Sequence, residues 1–318
     1  PLFRHRRTEP ELIHLSSATM DIGSGQTTTL CQIAAEELGL PFEAVHMAQG
    51  STDNLPFDSP THASRVTYSS GNAVMAAAAA AKKRLLEVAA IVMEANVEDL
   101  EVKDGKVRVK GVPARAVPVA DVVKRAESPY IMLSPQGQPV TTTIEEKGTI
   151  IGTSATPPKA NASPAVAEFV EVEVDTETGQ VKVLRVVYAH DLGRVVNPAG
   201  AEGQVEGGLA QGIGFALSEE MQFDPDTGAC LTSDFLDYKI PTAVEMPSSI
   251  ESIFIESNEI TGPFGAKGLA ESCLIVPAPA IANAIYDAVG VRIRSLPITP
   301  QRILEALGSP ARVKVVVA

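Results

Sequence analysis

Glu271 closes the stretch Gly262-Pro263-Phe264-Gly265-Ala266-Lys267-Gly268-Leu269-Ala270-Glu271-Ser272, and directly after it Ile275 to Val289 sets small and apolar residues at helical spacing. Glycines ahead of the acid permit positive φ and close approach of backbone to a ligand, while Ser272 and the turn after it supply helix-start chemistry. A carboxylate held between such backbone and an apolar helix is partly desolvated, which raises its pKa and suits a general base. An acid at a helix start also offsets the macrodipole, so from this stretch alone a cap is the plainer account of Glu271.

A second stretch, Gly23-Ser24-Gly25-Gln26-Thr27-Thr28-Thr29, follows extended segments and precedes a helix from about Leu30 to Leu38 that Gly39 stops. Strand, glycine-rich turn and helix point free backbone N–H groups at an anion. The Lys of a nucleotide-binding P-loop and the third glycine of a dinucleotide fingerprint are both missing. On spacing alone, a capped turn and a phosphate or pterin cradle are equal readings. Arg65, at the exit of the long loop from Gln49 to Thr61, is a further candidate for a phosphate.

These residues need elements to hold them. Helical spacing predicts a long helix over 73–94, and alternation about Asp104-Gly105 predicts a hairpin over 97–112. Residues 129–163 are rich in Pro, Gly and Thr and read as a connector between two lobes. Alternation returns at Val166, Phe169, Val170, Val172 and Val174, turns at Asp175–Gly179, and continues through Val181, Val183, Val186 and Tyr188 as a hairpin. A helix from Gly203 to about Glu220 contains several glycines, each costing roughly 1 kcal/mol against alanine, which predicts close packing against a helix or a cofactor.

Composition narrows the classes. The 318 residues are 45% hydrophobic and carry a net charge of −13, with a pI near 4.9, which argues against nucleic acid and an anionic membrane surface as partners. The basic cluster Arg4-His5-Arg6-Arg7 reads as a solvated terminal arm. Cys31, Cys230 and Cys273 are too scattered for a disulfide framework or a metal site, and a cytoplasmic location is expected. No apolar run reaches transmembrane length.

Taken in order, Asp21–Gln26 with Gln32–Gly39, Thr61–Val74, Asp175–Gly179, Asp191-Leu-Gly-Arg-Val-Val-Asn-Pro198, Gly203–Gly207 and Gly265–Glu271 resemble the molybdenum hydroxylases, the xanthine oxidase and aldehyde oxidoreductase family, across nearly the whole chain. The likeness is to the C-terminal half of their molybdopterin-binding subunit. It implies an α+β fold, a two-lobed molybdopterin-binding domain of mixed sheets packed with helices, with a first lobe over 1–150 and a second over 151–318. Glu271 matches the family's catalytic base, which takes a proton so that a water-derived oxygen attacks an electron-poor carbon. Gly23, Ser24, Gly25, Gln26, Ala63, Ser64, Arg65, Gln204 and Gly268 match positions around the pterin and its phosphates, held through backbone N–H groups and side-chain amides; relatives often carry Gln where this chain has Ser24.

Nothing here matches the preceding half of the family's molybdenum subunit. The resemblance therefore implies a fragment, or a subunit split between two polypeptides as in bacterial nicotinate dehydrogenase. Its implied cofactor is molybdopterin, in a dinucleotide form, with molybdenum. The implied partners are a larger molybdopterin subunit, an FAD subunit and an iron–sulfur subunit with 2Fe–2S clusters, since this chain has no cluster motif of its own. The small-molecule substrate is expected to be an N-heteroaromatic of nicotinate or purine type. An aldehyde, carbon monoxide or hydroxybenzoyl-CoA reaction, or a catalytically silent structural subunit, are the alternatives.

Overall fold

A computed structural model of the chain describes residues 13–51, 53, 55, 57–127, 132–133, 139–140, 150–155, 157, 160, 162–308 and 315–317. The basic arm at Arg4–Arg7 and most of the expected connector lie outside the described residues. The chain divides into two compact units, one of residues 1–162 with 260–266 and the other of residues 163–259 with 267–318. Chain continuity thus passes from one unit to the other between Ala266 and Lys267, inside the stretch that ends on Glu271.

In the first unit, β1 (Ile13–Ser17) leads to α1 (Gln26–Leu38) and β2 (Val45–Gln49), and the two strands pair in parallel. Gly39 ends α1 in the left-handed region, where its N–H reaches the carbonyls of Ala35 and Glu36, and any Cβ there would lie 2.4 Å from the Val102 carbonyl oxygen. Only glycine meets both demands. A single π-helical turn, Val66–Ser70, feeds α2 (Gly71–Met93). The antiparallel strands β3 (Leu100–Lys103), β4 (Lys106–Val109) and β5 (Val112–Pro118) and helix α3 (Val119–Glu127) follow, then the short pair β6 (Met132–Leu133) and β7 (Pro139–Val140). The alanines of α2 earn their place in the core, where Ala77, Ala78, Ala81 and Ala89 are buried and let other backbone approach closely. At Gly152 that approach is extreme, since a Cβ would sit 1.9 Å from the Ala77 carbonyl oxygen.

The second unit is a mixed sheet with helices on it. Strands β8 (Ala165–Asp175) and β9 (Val181–Asp191) form the expected hairpin; helix α4 (Pro198–Leu217), strand β10 (Ser249–Ile255), helices α5 (Ala270–Ile275), α6 (Pro277–Val289) and α7 (Pro300–Leu307) and strand β11 (Val315–Val317) complete it. Strand order is β10–β9–β8–β11, with β10 parallel to β9 and the other pairings antiparallel. Val172, Val174, Val183, Val186 and Tyr188 from the sheet pack with Val205, Leu209 and Ile213 of α4 and with Ile281 and Ile285 of α6.

Two details differ from the sequence reading. On β8 the inward row is Val166, Glu168, Val170, Val172 and Val174, so Phe169 faces out at 69% exposure. Register decides this, because period-2 alternation from the buried Val172 and Val174 leaves no inward position for residue 169. On β9 a register shift makes Val183 and Arg185 consecutive partners of Val172 and Glu171, a bulge that lets both Val183 and Val186 face inward across an odd spacing. Helix α4 also starts earlier than expected, at Pro198, because Asn197 caps it by accepting from Gly200 N at 3.1 Å and proline suits the first helical position.

Candidate functional site

In the first unit the turn ahead of α1 is built around Asp21. Its carboxylate accepts from the backbone N–H groups of Gly23 (3.0 Å), Gly25 (3.2 Å) and Thr27 (3.0 Å). Burial raises the Asp21 carboxyl, and the hydrogen bonds from Thr27, Gly23 and Gly25 outweigh it, leaving it below the usual carboxylate range. The anion at this helix start is therefore the protein's own. The N–H groups of Gly23 and Gly25, expected from the sequence to hold the cofactor, donate to Asp21 instead, because a carboxylate four residues before the cap residue Gly25 lies within reach of both.

Side chains in the same turn are left open. Ser24 Oγ and Gln26 Oε1 are buried with no hydrogen-bond partner, and Gln26 as a whole is 7% exposed. A second loop lies against this one. Asp58 accepts from Thr19 Oγ1 at 2.7 Å and pairs with Arg65 at 3.1 Å, Arg65 also donates to the Ser59 carbonyl at 2.9 Å, and Thr61 Oγ1 donates to the Met20 carbonyl at 2.8 Å. These bonds bring Gly23–Gln26 and Ala63–Arg65 onto two laced loops. They also commit the Arg65 guanidinium, expected to reach a phosphate, to holding the loop. Ala63 and Ser64 both have positive φ, 52° and 51°, a conformation that costs non-glycine residues of order 1–3 kcal/mol each and clusters at ligand sites.

A polar organic cofactor fits this unit on its own chemistry. It offers an unpartnered hydroxyl, an unpartnered carboxamide oxygen and two strained residues side by side, and at Gly23 and Gly25 a Cβ would meet nothing within 4 Å. Among the described residues no group of His, Cys, Asp and Glu is arranged to hold a metal ion.

In the second unit two sequence motifs meet. Lys267 Nζ pairs with Asp191 at 2.9 Å, and Lys267 N donates to the Leu192 carbonyl at 2.8 Å. Ser257 Oγ (2.7 Å) and Gly193 N (2.9 Å) also donate to Asp191. Burial pushes the Asp191 carboxyl up, but the Lys267 and Ser257 hydrogen bonds, the Gly193 amide and the Lys267 charge together bring it down to about 2. Gly268, Ser272 and Cys273 are buried, and the glycines of α4 explain how: a Cβ on Gly208 would be 2.5 Å from Cys273 Cβ, and one on Gly212 would be 2.4 Å from Pro277. The close packing expected for these glycines is against α5 and the start of α6. Gly203 and Gly207, in contrast, have open space where a Cβ would be. Gln204 is half-buried, one turn before Gly208.

Glu271 itself is exposed, between backbone that is anchored on both sides. The desolvation expected from the sequence is not supplied by this chain, because Glu271 is the second residue of a six-residue helix whose following residues, Ser272 and Cys273, take the buried positions. Sequence reasoning also passed over Asp21 and Asp58, whose work is to accept hydrogen bonds from loops; no spacing rule marks them.

The fold is an α+β arrangement of mixed sheets and helices, and comparison with known proteins gives its family. Residues 9–247 match the family model of the molybdopterin cofactor-binding domain. The chain is 34% identical over 294 residues to the xanthine dehydrogenase molybdenum-binding subunit of Escherichia coli O157:H7, covering 92% of this chain and 37% of that protein. It is 33% identical over 297 residues to the nicotine 6-hydroxylase large subunit of Paenarthrobacter nicotinovorans, covering 92% of this chain and 35% of that one. The crystal structure of quinoline 2-oxidoreductase from Pseudomonas putida 86 superposes with a TM-score of 0.84 at 31% identity, over 96% of this chain and 38% of that chain. This chain belongs to the molybdenum hydroxylase family and corresponds to a molybdopterin cofactor-binding domain of it. It spans little more than a third of the length of these relatives.

Proposed function

We propose that this chain is the Glu-bearing part of a molybdenum hydroxylase that hydroxylates an N-heteroaromatic substrate, of nicotinate or purine type, with Glu271 as general base. The observation that carries the reading is the contrast at Glu271: an exposed carboxylate on backbone locked by the Lys267–Asp191 pair and by Gly208 against Cys273. A base needs a fixed position and an open approach for substrate. The relatives named for xanthine, nicotine and quinoline support a ring nitrogen beside the reacting carbon.

When bound, the molybdenum cofactor supplies the two-electron oxidation of an electron-poor carbon. This chain's residues do the rest of the local work. Ser24 Oγ and Gln26 Oε1 would hold the pterin by hydrogen bonds with the Ala63–Ser64 backbone beside them, Gln204 is carried as a further pterin contact by the family resemblance alone, and the Glu271 carboxylate would take up the proton from the water-derived oxygen. A dinucleotide form of the pterin, a larger molybdopterin polypeptide, an FAD subunit and a subunit with 2Fe–2S clusters belong to the same reading, as does a cytoplasmic location. Among the described residues no single helix is long and apolar enough to cross a membrane. Phe235, Leu236 and Val244, at 86%, 75% and 85% exposure on one irregular segment, support a covering polypeptide, since isolated domains rarely expose so much apolar surface together.

The test is Glu271→Gln in the complete enzyme complex, with molybdenum content measured alongside turnover of N-heteroaromatics, aldehydes and carbon monoxide. The expected result is a kcat lower by about 100- to 10,000-fold at unchanged molybdenum content. Undiminished turnover would instead mark the chain as a structural subunit.

A further inference from the structure

On the inner face of the β8–β9 hairpin a carboxylate interrupts an aliphatic row. Glu168 stands opposite Tyr188 in the register, and Val166 opposite His190. Tyr188 and His190 are fully buried and stack, with ring centroids 5.3 Å apart and planes 17° from parallel. Both carboxyl oxygens of Glu168 and both ring nitrogens of His190 are buried without a hydrogen-bond partner. Native proteins rarely tolerate such groups without a use for them. The Tyr188 hydroxyl next to Glu168 donates to the Cys273 carbonyl at 3.1 Å. Cys273 lies two residues after Glu271 in α5, so this bond ties the sheet to the short helix that carries the acid.

We propose, resting on the reading of Glu271 as the base, that Tyr188 is the positioning residue of the Glu271-bearing helix and that Glu168 is the proton switch that keeps or withdraws its hydroxyl. With Glu168 protonated, the carboxyl competes weakly and Tyr188 stays on the Cys273 carbonyl. When the Glu168 O–H bond breaks and its proton passes to solvent, a carboxylate forms beside that hydroxyl. Hydrogen bonds to a charged acceptor are about twice as strong as neutral ones, so the hydroxyl turns to Glu168 and the Cys273 carbonyl loses its donor. Helix α5 then keeps the Lys267–Asp191 pair ahead of it and its packing on Gly208 but loses this hydrogen bond to the sheet, and the aim of Glu271 loosens.

The groups facing Glu168 keep this switch isolated. Tyr188 and His190 face it from β9 and the Cys273 thiol from α5. Helix α6 presents Ile281, Ala284, Ile285 and Ala288, with Asp287 exposed. Glu171, Glu173, Lys182 and Arg185 alternate to the outer face of the hairpin. Burial brings Glu168 up to about 8, with Tyr188 drawing it back. Burial also takes His190 down to about 4 and lifts the Cys273 thiol to about 12, so both stay neutral while Glu168 titrates.

In the complete complex, amide hydrogen exchange of residues 271–275 is followed from pH 6 to 10 in the wild type, Glu168→Gln and Tyr188→Phe, each rate divided by the intrinsic rate at that pH. Wild-type protection is expected to fall about tenfold on crossing pH 8. Glu168→Gln is expected to stay flat, and Tyr188→Phe to be low throughout. The wild-type kcat follows the protection while KM is unmoved. Glu168→Gln losing protection at the wild-type midpoint, or Tyr188→Phe keeping full protection, overturns the proposal. Full turnover of Glu271→Gln would remove the reading of that residue, and the exchange comparison would then judge the relay alone. Should Tyr188→Phe fail to assemble, wild type against Glu168→Gln decides.

Discussion

At the head of α1 the backbone donors are consumed by Asp21 while Ser24 Oγ and Gln26 Oε1 lack partners. At α5 the backbone is held too, by Lys267, Leu192 and Gly208, but there the functional side chain, Glu271, is exposed rather than buried. A cradle recognises a ligand by leaving polar side chains unsatisfied until it arrives, so its loops must be stiffened from within. A base must instead be ready at all times, and what needs stiffening there is the helix that aims it.

Substitutions separate the two designs. The largest effect on stability is expected from Gly208→Val, since even the first added carbon would lie 2.5 Å from Cys273 Cβ; overpacking there costs about 3 kcal/mol and should abolish turnover, as melting curves and steady-state assays can check. Gly207→Ala, where nothing lies within 4 Å, serves as the contrast and is expected to stabilise by under about 1 kcal/mol.

Lys267→Met leaves Asp191 without its ion pair and is expected to cost about 2 kcal/mol in urea unfolding at pH 7. The sign with pH follows from Asp191 lying below its ordinary 3.8, at about 2 in the folded protein. Its stabilisation is present above pH 3.8 and is lost as pH falls through about 2, so the gap between wild type and Lys267→Met closes in acid.

Asp21→Ala removes the internal anion and is expected to destabilise by about 1–2 kcal/mol, the usual size of a helix cap. Added phosphate should recover part of that loss by occupying the freed N–H groups, in melting curves where the wild type does not respond. The smallest effect on stability is expected from Gln26→Leu, which removes an orphaned amide oxygen and should be neutral or stabilising by about 1 kcal/mol. Its molybdopterin content should nonetheless fall, and unchanged content would show that Gln26 Oε1 serves no ligand.

Local pattern carried much of the fold. The hairpin at 165–191, the long helix α2 and the Gly39 stop of α1 follow from alternation, helical spacing and glycine chemistry. The glycines of α4 announced close packing without saying against what, and the structure supplies Cys273 and Pro277. Other features were hidden. Phe169 looks like a core residue and Glu168 like a surface one until the register of β8 reverses them. Arg65 looks like a phosphate ligand until Asp58 is seen to hold it.

The amino-acid sequence by itself determined the order of motifs, and through them the family and the stretches where a cofactor and a base are to be sought. Those follow from residue types and spacings along a few neighbouring positions. Only the tertiary structure decided which donors are already spent, which carboxyl is buried and which is exposed, and that Lys267 finds Asp191 and Tyr188 finds Cys273. Each of those depends on strand register and helix packing that bring distant parts of the chain within hydrogen-bond reach, and no local rule encodes where such partners lie.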